Sequence, residues 1–235
     1  MLVAAALVPD TVLLVPGAGG LADPAARLRE AALAVVAKAV GGASALVVVA
    51  PGRETRELEG LVVASLGAAG IPDGQLAWPA PSVGAGAPAG AGAPASVGLH
   101  LAVRAGWQGS TTVVEVAPDD GLVGLGAALV ADGPTALVVV GSGSGRHGPD
   151  APLADDDRAP AYDAALLTDL SDASPAALAR LAARPRDEAA ALAVTGWAPW
   201  QVLVGAVGAT RVAAHAEHAE VLTGAQHAAL LWVAS

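Results

Sequence analysis

The chain has 235 residues, of which 54% are hydrophobic and 14% are charged, and its formal net charge is −10. Leu and Val are numerous enough to build a core, and there is no cysteine, so composition excludes a disordered chain, a disulfide framework and a cysteine-ligated metal site. The acidic balance argues against nucleic acid and anionic membrane surfaces as partners, because both require a basic face.

Nothing in the N-terminal sequence indicates a targeting segment, since no Lys or Arg precedes the first apolar run and Asp10 interrupts it early. Residues 189–210 are uncharged and long enough to cross a bilayer, but their hydrophobicity comes from Ala and Gly rather than Leu. We therefore expect a cytoplasmic protein without a membrane span.

Short apolar runs alternate with longer Ala- and Leu-rich segments, which is typical of α/β folds. The first half predicts strands at 2–8, 12–15 and 46–49, and helices at 24–40 and 54–69. Asp23 is the expected N-cap of the first helix and Pro24 its first residue. Residues 79–94 contain only Gly, Ala, Pro, Ser and Val, which predicts a mobile loop, either a lid over a site or a tolerated insertion.

The second half continues the alternation. It predicts strands at 111–116, 136–140 and 228–233, and helices at 97–105, 122–130, 161–170, 175–183, 187–193 and 199–207. No linker divides the chain, so we expect one α/β domain over residues 1–235.

Two glycine clusters are candidate ligand loops. Residues 17–22 fit the dinucleotide pattern G-x-G-x-x-A, but Asp23 and Pro24 place the helix start after the glycines, and no acidic residue follows at the usual distance.

The second glycine cluster follows an apolar strand. It therefore lies at the carboxyl end of a strand, which is where α/β proteins place their sites. We expect this loop to line a cofactor or substrate pocket, with an exposed glycine-rich turn as the alternative; its candidate binding residues are Gly141, Ser142, Gly143 and Ser144.

Two histidines three residues apart form a candidate metal pair. His215 and His218 would share one face of a helix, and with Glu220 they could hold a divalent cation. The alternative is a solvated helix face. His147 and His227 lie outside the segments interpreted as helical surface, and we take these two as the candidate catalytic histidines.

Four stretches together carry a family resemblance: MLVAAA through LLVP (1–16), SVGL through RAGW (96–107), VVVGSGS (138–144) and APWQVL (198–203). They resemble the short actinobacterial members of the class III extradiol ring-cleavage dioxygenase family, which are related to protocatechuate ring-opening dioxygenases and Memo proteins. The resemblance implies a single three-layer α/β/α domain around a mixed central sheet. In active relatives two His and one Glu hold a non-haem Fe(II) that binds a catechol, and a further His acts as acid and base.

This chain departs from that pattern at the metal. Active relatives have Pro-His after the first strand, whereas this chain has Pro9-Asp10. No histidine follows the strand at 46–49, where Glu54 is the available oxygen donor, and Ser142 stands where the subfamily has Asp. The resemblance therefore implies Asp10 and Glu54 at a degenerate metal site, which would hold Fe(II) or another divalent cation only if the site is retained.

Three functions follow from these features. The first is a divergent extradiol dioxygenase-like protein with a degenerate metal site and a small-molecule substrate. The second is a non-catalytic descendant that binds a small ligand or a protein through the same cleft. The third is nucleotide binding at residues 17–22. A homo-oligomer is compatible with all three.

Overall fold

The computed structural model describes residues 1–20, 23–151 and 153–235. The strands are β1 (Leu2–Val8), β2 (Ala45–Pro51), β3 (Arg56–Leu58), β4 (Leu61–Val63), β5 (Ser82–Val83), β6 (Pro88–Gly90), β7 (Ser110–Val116), β8 (Thr135–Val140), β9 (Val212–Leu222) and β10 (Ala225–Ala234). The α-helices are α1 (Ala26–Val40), α2 (Ala93–Arg104), α3 (Leu122–Leu129), α4 (Ala159–Asp172), α5 (Pro175–Ala182), α6 (Arg186–Ala191) and α7 (Trp197–Val207).

Seven strands form the mixed central sheet in the order β3-β7-β2-β8-β1-β10-β9. The four strands β7, β2, β8 and β1 run parallel, whereas β3, β10 and β9 are antiparallel to their neighbours. β8 is buried along its whole length and β2 along all but its two end residues, because Val, Leu and Ala occupy both of their faces. The loops that leave the carboxyl ends of the parallel strands lie side by side at one edge, where this class of fold places its sites.

Helices cover both faces of the sheet and confirm the predicted α/β/α layers. α1 and α2 pack on one face, where they bury the first core cluster. α3, α4, α5 and α7 lie on the other side and bury the second cluster. We call these the α1 face and the α4 face.

Glycines allow α3 and α7 to pack with their backbones almost in contact. A Cβ atom built on Gly126 of α3 would lie 1.9 Å from the Val202 carbonyl oxygen of α7, and one on Gly205 would lie 1.9 Å from the Val123 carbonyl oxygen. Real Cβ atoms do not approach this closely, so neither position has room for a side chain.

Several local predictions in the N-terminal half are wrong. Val12–Leu14 is a 3-10 turn rather than a strand, and α1 begins at Ala26. Asp23 does not cap α1, because its carboxylate pairs with Arg29. Residues 54–69 form β3 and β4 instead of a helix, and the turn between them requires Gly60, which has a φ of +86° and whose Cβ would lie 2.4 Å from the Ala87 carbonyl oxygen.

Residues 79–94 contribute to a second, small sheet instead of an unstructured loop. β5 and β6 flank β4 in the order β5-β4-β6, and α2 begins at Ala93. Pro81 and Ala91 are buried although the segment has no large side chain. These strands left no sign in the sequence because strands of only two and three residues show no period-two pattern.

Replacing residues 79–92 by a short Gly/Ser linker tests whether this segment is mobile or packed. Since the change removes the partners of β4, we expect a fall in Tm of about 5 °C or more, as 1 kcal/mol corresponds to about 2–4 °C in a chain of this size. An unchanged Tm in differential scanning calorimetry would restore the interpretation as a mobile insertion.

The C-terminal part of the chain forms a hairpin of long strands. β9 pairs with β10, so residues 215–220 lie in a strand and the helix predicted for His215 and His218 is wrong. The described residues contain no helix that is both long and apolar enough to span a membrane.

Candidate functional site

An open cleft of about 710 Å³ lies at the carboxyl ends of the parallel strands. Asp10 follows β1, Arg53 and Glu54 follow β2, and Glu115 comes from the end of β7. Thr195 closes another side of the cleft. Of the residues proposed from sequence, Asp10 and Glu54 therefore do lie in one cavity, which we call the cleft.

An ion-pair network forms one wall of the cleft. The Arg56 guanidinium donates to one oxygen of the buried Glu115 carboxylate from Nε (3.0 Å) and Nη2 (2.8 Å), and Nη1 donates to Glu54 (3.0 Å). The other Glu115 oxygen accepts the Gly92 backbone N–H at 2.6 Å, which fixes the start of α2 against β7. The two carboxylates raise the pKa of Arg56 further above its usual value.

Behind the cleft wall, Ser142 joins Asp10 to a buried histidine. The Ser142 hydroxyl donates to Asp10 Oδ1, and its oxygen lies 2.9 Å from Nδ1 of His227. A hydroxyl has one proton to donate, so when Asp10 receives it, Nδ1 of His227 carries the proton of its own hydrogen bond to Ser142. The three groups form a hydrogen-bonded chain between the buried imidazole and the carboxylate in the cleft.

The environment of His227 favours the neutral imidazole. Burial lowers the pKa of His227, while the negative charges of Asp10 and Glu220 and a hydrogen bond to the Leu222 backbone oppose that change. Glu220 lies directly across from His227 in the β9–β10 ladder. His227 is therefore held close to two carboxylates and shielded from water.

The other candidate catalytic histidine lies elsewhere. His147 Nε2 is 2.6 Å from Oδ2 of Asp163, a buried residue of α4. Asp163 also accepts the Ser144 backbone N–H with both oxygens at 3.1 Å, and burial raises its pKa. His227 shares its face of the sheet with Ala229, on the α1 face, so the structure does not bring the two histidines together.

The glycine-rich loop at 141–144 is buried and packs against other segments of the chain. A Cβ on Gly141 would lie 2.3 Å from the Gly196 Cα, and one on Gly143 would lie 2.6 Å from the Asp163 carboxylate. The Ser144 hydroxyl donates to the Leu192 carbonyl oxygen at 2.7 Å. These glycines thus permit close packing of the loop, and Ser142 connects it to the cleft through Asp10.

The first glycine cluster is only partly described, since Leu21 and Ala22 lie outside the described residues. α1 begins at Ala26, four residues beyond the end of the motif. The Gly17 Cβ would lie 2.4 Å from the Gln75 carbonyl oxygen, so this glycine serves a close backbone contact.

The residues present do not fit a two-His, one-carboxylate iron centre. Asp10 is already hydrogen-bonded to Ser142, and Glu54 is already hydrogen-bonded to Arg56. Arg53 adds a further positive charge to the cleft. Within the described ranges, no group of three or more His, Asp or Glu side chains is arranged to hold a metal ion. A cation here would have to displace existing hydrogen bonds and face two guanidinium groups.

The alternative pair of His215 and His218 has a different geometry from the one predicted. The ladder pairs His215 with Leu231 and His218 with Ala229, and a bulge lies between these pairs. Because Leu231 and Ala229 are two residues apart in β10, both histidines still share one face. His218 Nε2 lies 3.4 Å from Glu220 Oε1.

Sequence reasoning missed Thr195, Glu115 and Asp163. Glu115 is the one charged residue of the strand β7, and a lone carboxylate in such a strand could have indicated a site residue. The sequence gives no such indication for Thr195 or Asp163. Thr195 accepts a hydrogen bond from the distant Ser142 backbone, and Asp163 accepts one from the Ser144 backbone.

Acidification tests the burial of two histidines. Burial lowers the pKa of His100 and of His227, so below about pH 6.5 the unfolded chain binds more protons and stability falls. We expect a lower Tm at pH 5.5 than at pH 7.5. Nε2 of His100 is buried with no hydrogen-bond partner among the described residues, so His100→Leu should reduce the loss of stability on acidification, whereas His215→Leu on the exposed strand should not. Equal pH profiles for all three proteins would contradict this.

Comparison with known proteins supports the fold alone. No protein-family model matches the chain, and no curated protein matches it in sequence. The chain is similar to the crystal structure of uncharacterized protein JW3007 from Escherichia coli K12, with a TM-score of 0.53 and 12% identity. That similarity covers 98% of this chain and 99% of the other, so the two share their architecture over the full length.

Proposed function

We propose that this chain is a divergent class III extradiol dioxygenase-like protein whose cleft binds a small polar molecule without iron. The observation that carries the proposal is the state of Asp10 and Glu54. They line the same cleft, as the resemblance implies for metal-site residues, yet each already has a hydrogen-bond partner within the protein.

The cleft has the size and the mixed polarity of a small-molecule site. A volume of about 710 Å³ is within the usual range of about 300–1,000 Å³ for ligand pockets. Arg53 and Asp10 offer one charge of each sign, and Arg56 is held by two carboxylates. A ligand with both an anionic group and hydroxyl donors would match these groups.

Metal content and oxygen uptake test the loss of iron chemistry. After anaerobic incubation with Fe(II) and desalting, elemental analysis should find well under one iron per chain. Oxygen uptake with protocatechuate should stay at the level without protein. Stoichiometric iron together with the absorbance of a ring-cleaved product would overturn the proposal, and Asp10, His147 and His227 would then be the first residues to replace.

Binding is tested separately, with protocatechuate as an uncleaved probe. A ligand at one hundred times its Kd adds about 2.7 kcal/mol of stability, a rise in Tm of about 5 °C or more. Arg53→Ala should abolish the shift. Arg146→Ala is the matched control, because Arg146 donates to the Ala154 carbonyl oxygen outside the cleft. A shift that survives Arg53→Ala would place binding elsewhere.

A further inference from the structure

One edge of the central sheet ends in a long exposed strand. β9 has eleven residues, and no other strand of the described ranges pairs with its outer side. Six of its residues are exposed: Ala213, His215, Ala216, Glu217, Ala219 and Val221. The opposite edge strand, β3, has only three residues. An unpaired strand of this length presents a row of free backbone donors and acceptors to another chain.

The histidine and glutamate side chains of β9 all lie on one face of the sheet. His215, His218 and Glu220 pair with Leu231, Ala229 and His227, which alternate along β10 and so share a face. Glu217 lies in the bulge, where its carboxylate accepts a hydrogen bond from Lys38 Nζ of α1 at 3.1 Å. Glu217 therefore also lies on the α1 face, the face that these three residues share.

We propose that β9 pairs antiparallel with β9 of a second copy of this chain, about a two-fold axis between Glu217 and His218. The segment HAEHAE (215–220) is self-complementary in this register. His215 of each copy lies opposite Glu220 of the other, and Glu217 lies opposite His218. Both pairs join a basic to an acidic side chain on the same face, as favourable cross-strand pairs require.

The uncharged positions fit the same register. Ala216 lies opposite Ala219, and Ala214 lies opposite Val221, so the exposed Val221 becomes covered. Pairing over residues 213–222 forms about ten backbone hydrogen bonds between the copies. The product is a continuous sheet of fourteen strands, two copies of the seven-stranded sheet, with both α1 helices on one side.

Charges and a bulge on an edge strand also serve to prevent edge pairing. If that were their role, carboxylates of the two copies would face each other, whereas in this register each glutamate faces a histidine. The two roles therefore predict different oligomeric states, and the sign pattern favours the dimer.

Disulfide trapping tests the register directly, because the chain has no cysteine. Ala216→Cys/Ala219→Cys should give a covalent dimer under mild oxidation, since directly opposed residues of paired strands lie within disulfide range. The two cysteines of one copy lie too far apart along a strand to bridge each other. The single variants place each cysteine opposite an alanine and should remain largely uncrosslinked.

Sedimentation equilibrium tests the charge pattern. The unmodified protein should have a mass of about 45 kDa, twice the 22.7 kDa of one chain. His218→Glu sets two carboxylates opposite each other twice per dimer and should shift the equilibrium toward monomer at least tenfold. The swap Glu217→His/His218→Glu should restore the dimer, and Gln108→Glu on a distant loop controls for net charge.

A monomer at all concentrations, or equal crosslinking of single and double variants, would overturn the proposal. Circular dichroism of each variant separates dissociation from unfolding. If His218→Glu fails to fold, the disulfide result alone decides the outcome.

Discussion

Gly126→Val should destabilise the protein strongly, whereas Gly124→Ala, two residues earlier in the same helix, should stabilise it. The Gly126 Cβ would lie 1.9 Å from the Val202 carbonyl oxygen and 2.8 Å from the Ala206 backbone nitrogen. Backbone atoms of α7 cannot rotate away as a side chain can, so the helices must separate. We expect a loss of about 4 kcal/mol or more, a large part of the stability of an ordinary domain.

Gly124 provides the matched control in α3. No atom of the described residues lies within 4 Å of a Cβ built there, so alanine adds helix propensity without a clash and should contribute about 1 kcal/mol. Gly205→Ala approaches the same contact from α7, where its Cβ would meet the Val123 carbonyl oxygen, and it should destabilise like Gly126→Val. Urea unfolding measures all three. Similar stabilities for the Gly124 and Gly126 variants would show that the α3–α7 contact does not limit packing.

The sequence predicted the parallel core because burial leaves a strong signal there. The central run of β2 and all of β8 are Val, Leu and Ala apart from the initial Thr135, and such runs predict strands buried on both faces. For residues 215–220 the sequence predicted a helix where the structure has a strand. Ala recurs there at every third position between His and Glu, which gives no strand-like period of two, and only the ladder with β10 makes the segment a strand.

The position of the cleft was predictable from the sequence, whereas the contacts between its residues were not. The loops after β1, β2 and β8 were expected to carry it, since parallel strands bring their carboxyl ends to one edge. Asp10 and Glu54 do line the cleft there. The bond from Ser142 to Asp10 joins residues 132 positions apart, and no local pattern encodes such a contact.

Asp163→Leu should destabilise the glycine-rich loop more than any exposed substitution on α4. Leucine leaves the Ser144 backbone N–H and Nε2 of His147 without their buried acceptor. Hydrogen bonds to a charged group contribute about 1.5–3 kcal/mol each, so we expect a loss of about 3 kcal/mol. Asp163→Asn keeps an acceptor for Ser144 and should lose about 1 kcal/mol. Asp172→Asn, on the exposed end of α4, should change stability by less than about 0.5 kcal/mol.

The pH profile separates the charge of Asp163 from its packing. Burial raises the pKa of Asp163, so above about pH 4 the native state holds this proton more firmly than the unfolded chain does. Its contribution to stability therefore falls as the pH rises through the native pKa, and asparagine, which does not titrate, removes that part of the slope. Urea unfolding of Asp163→Asn between pH 4 and pH 6 should give a more positive dependence on pH than the unmodified protein. A parallel profile would mean that Asp163 titrates alike in both states and that its bond to His147 does not depend on its charge.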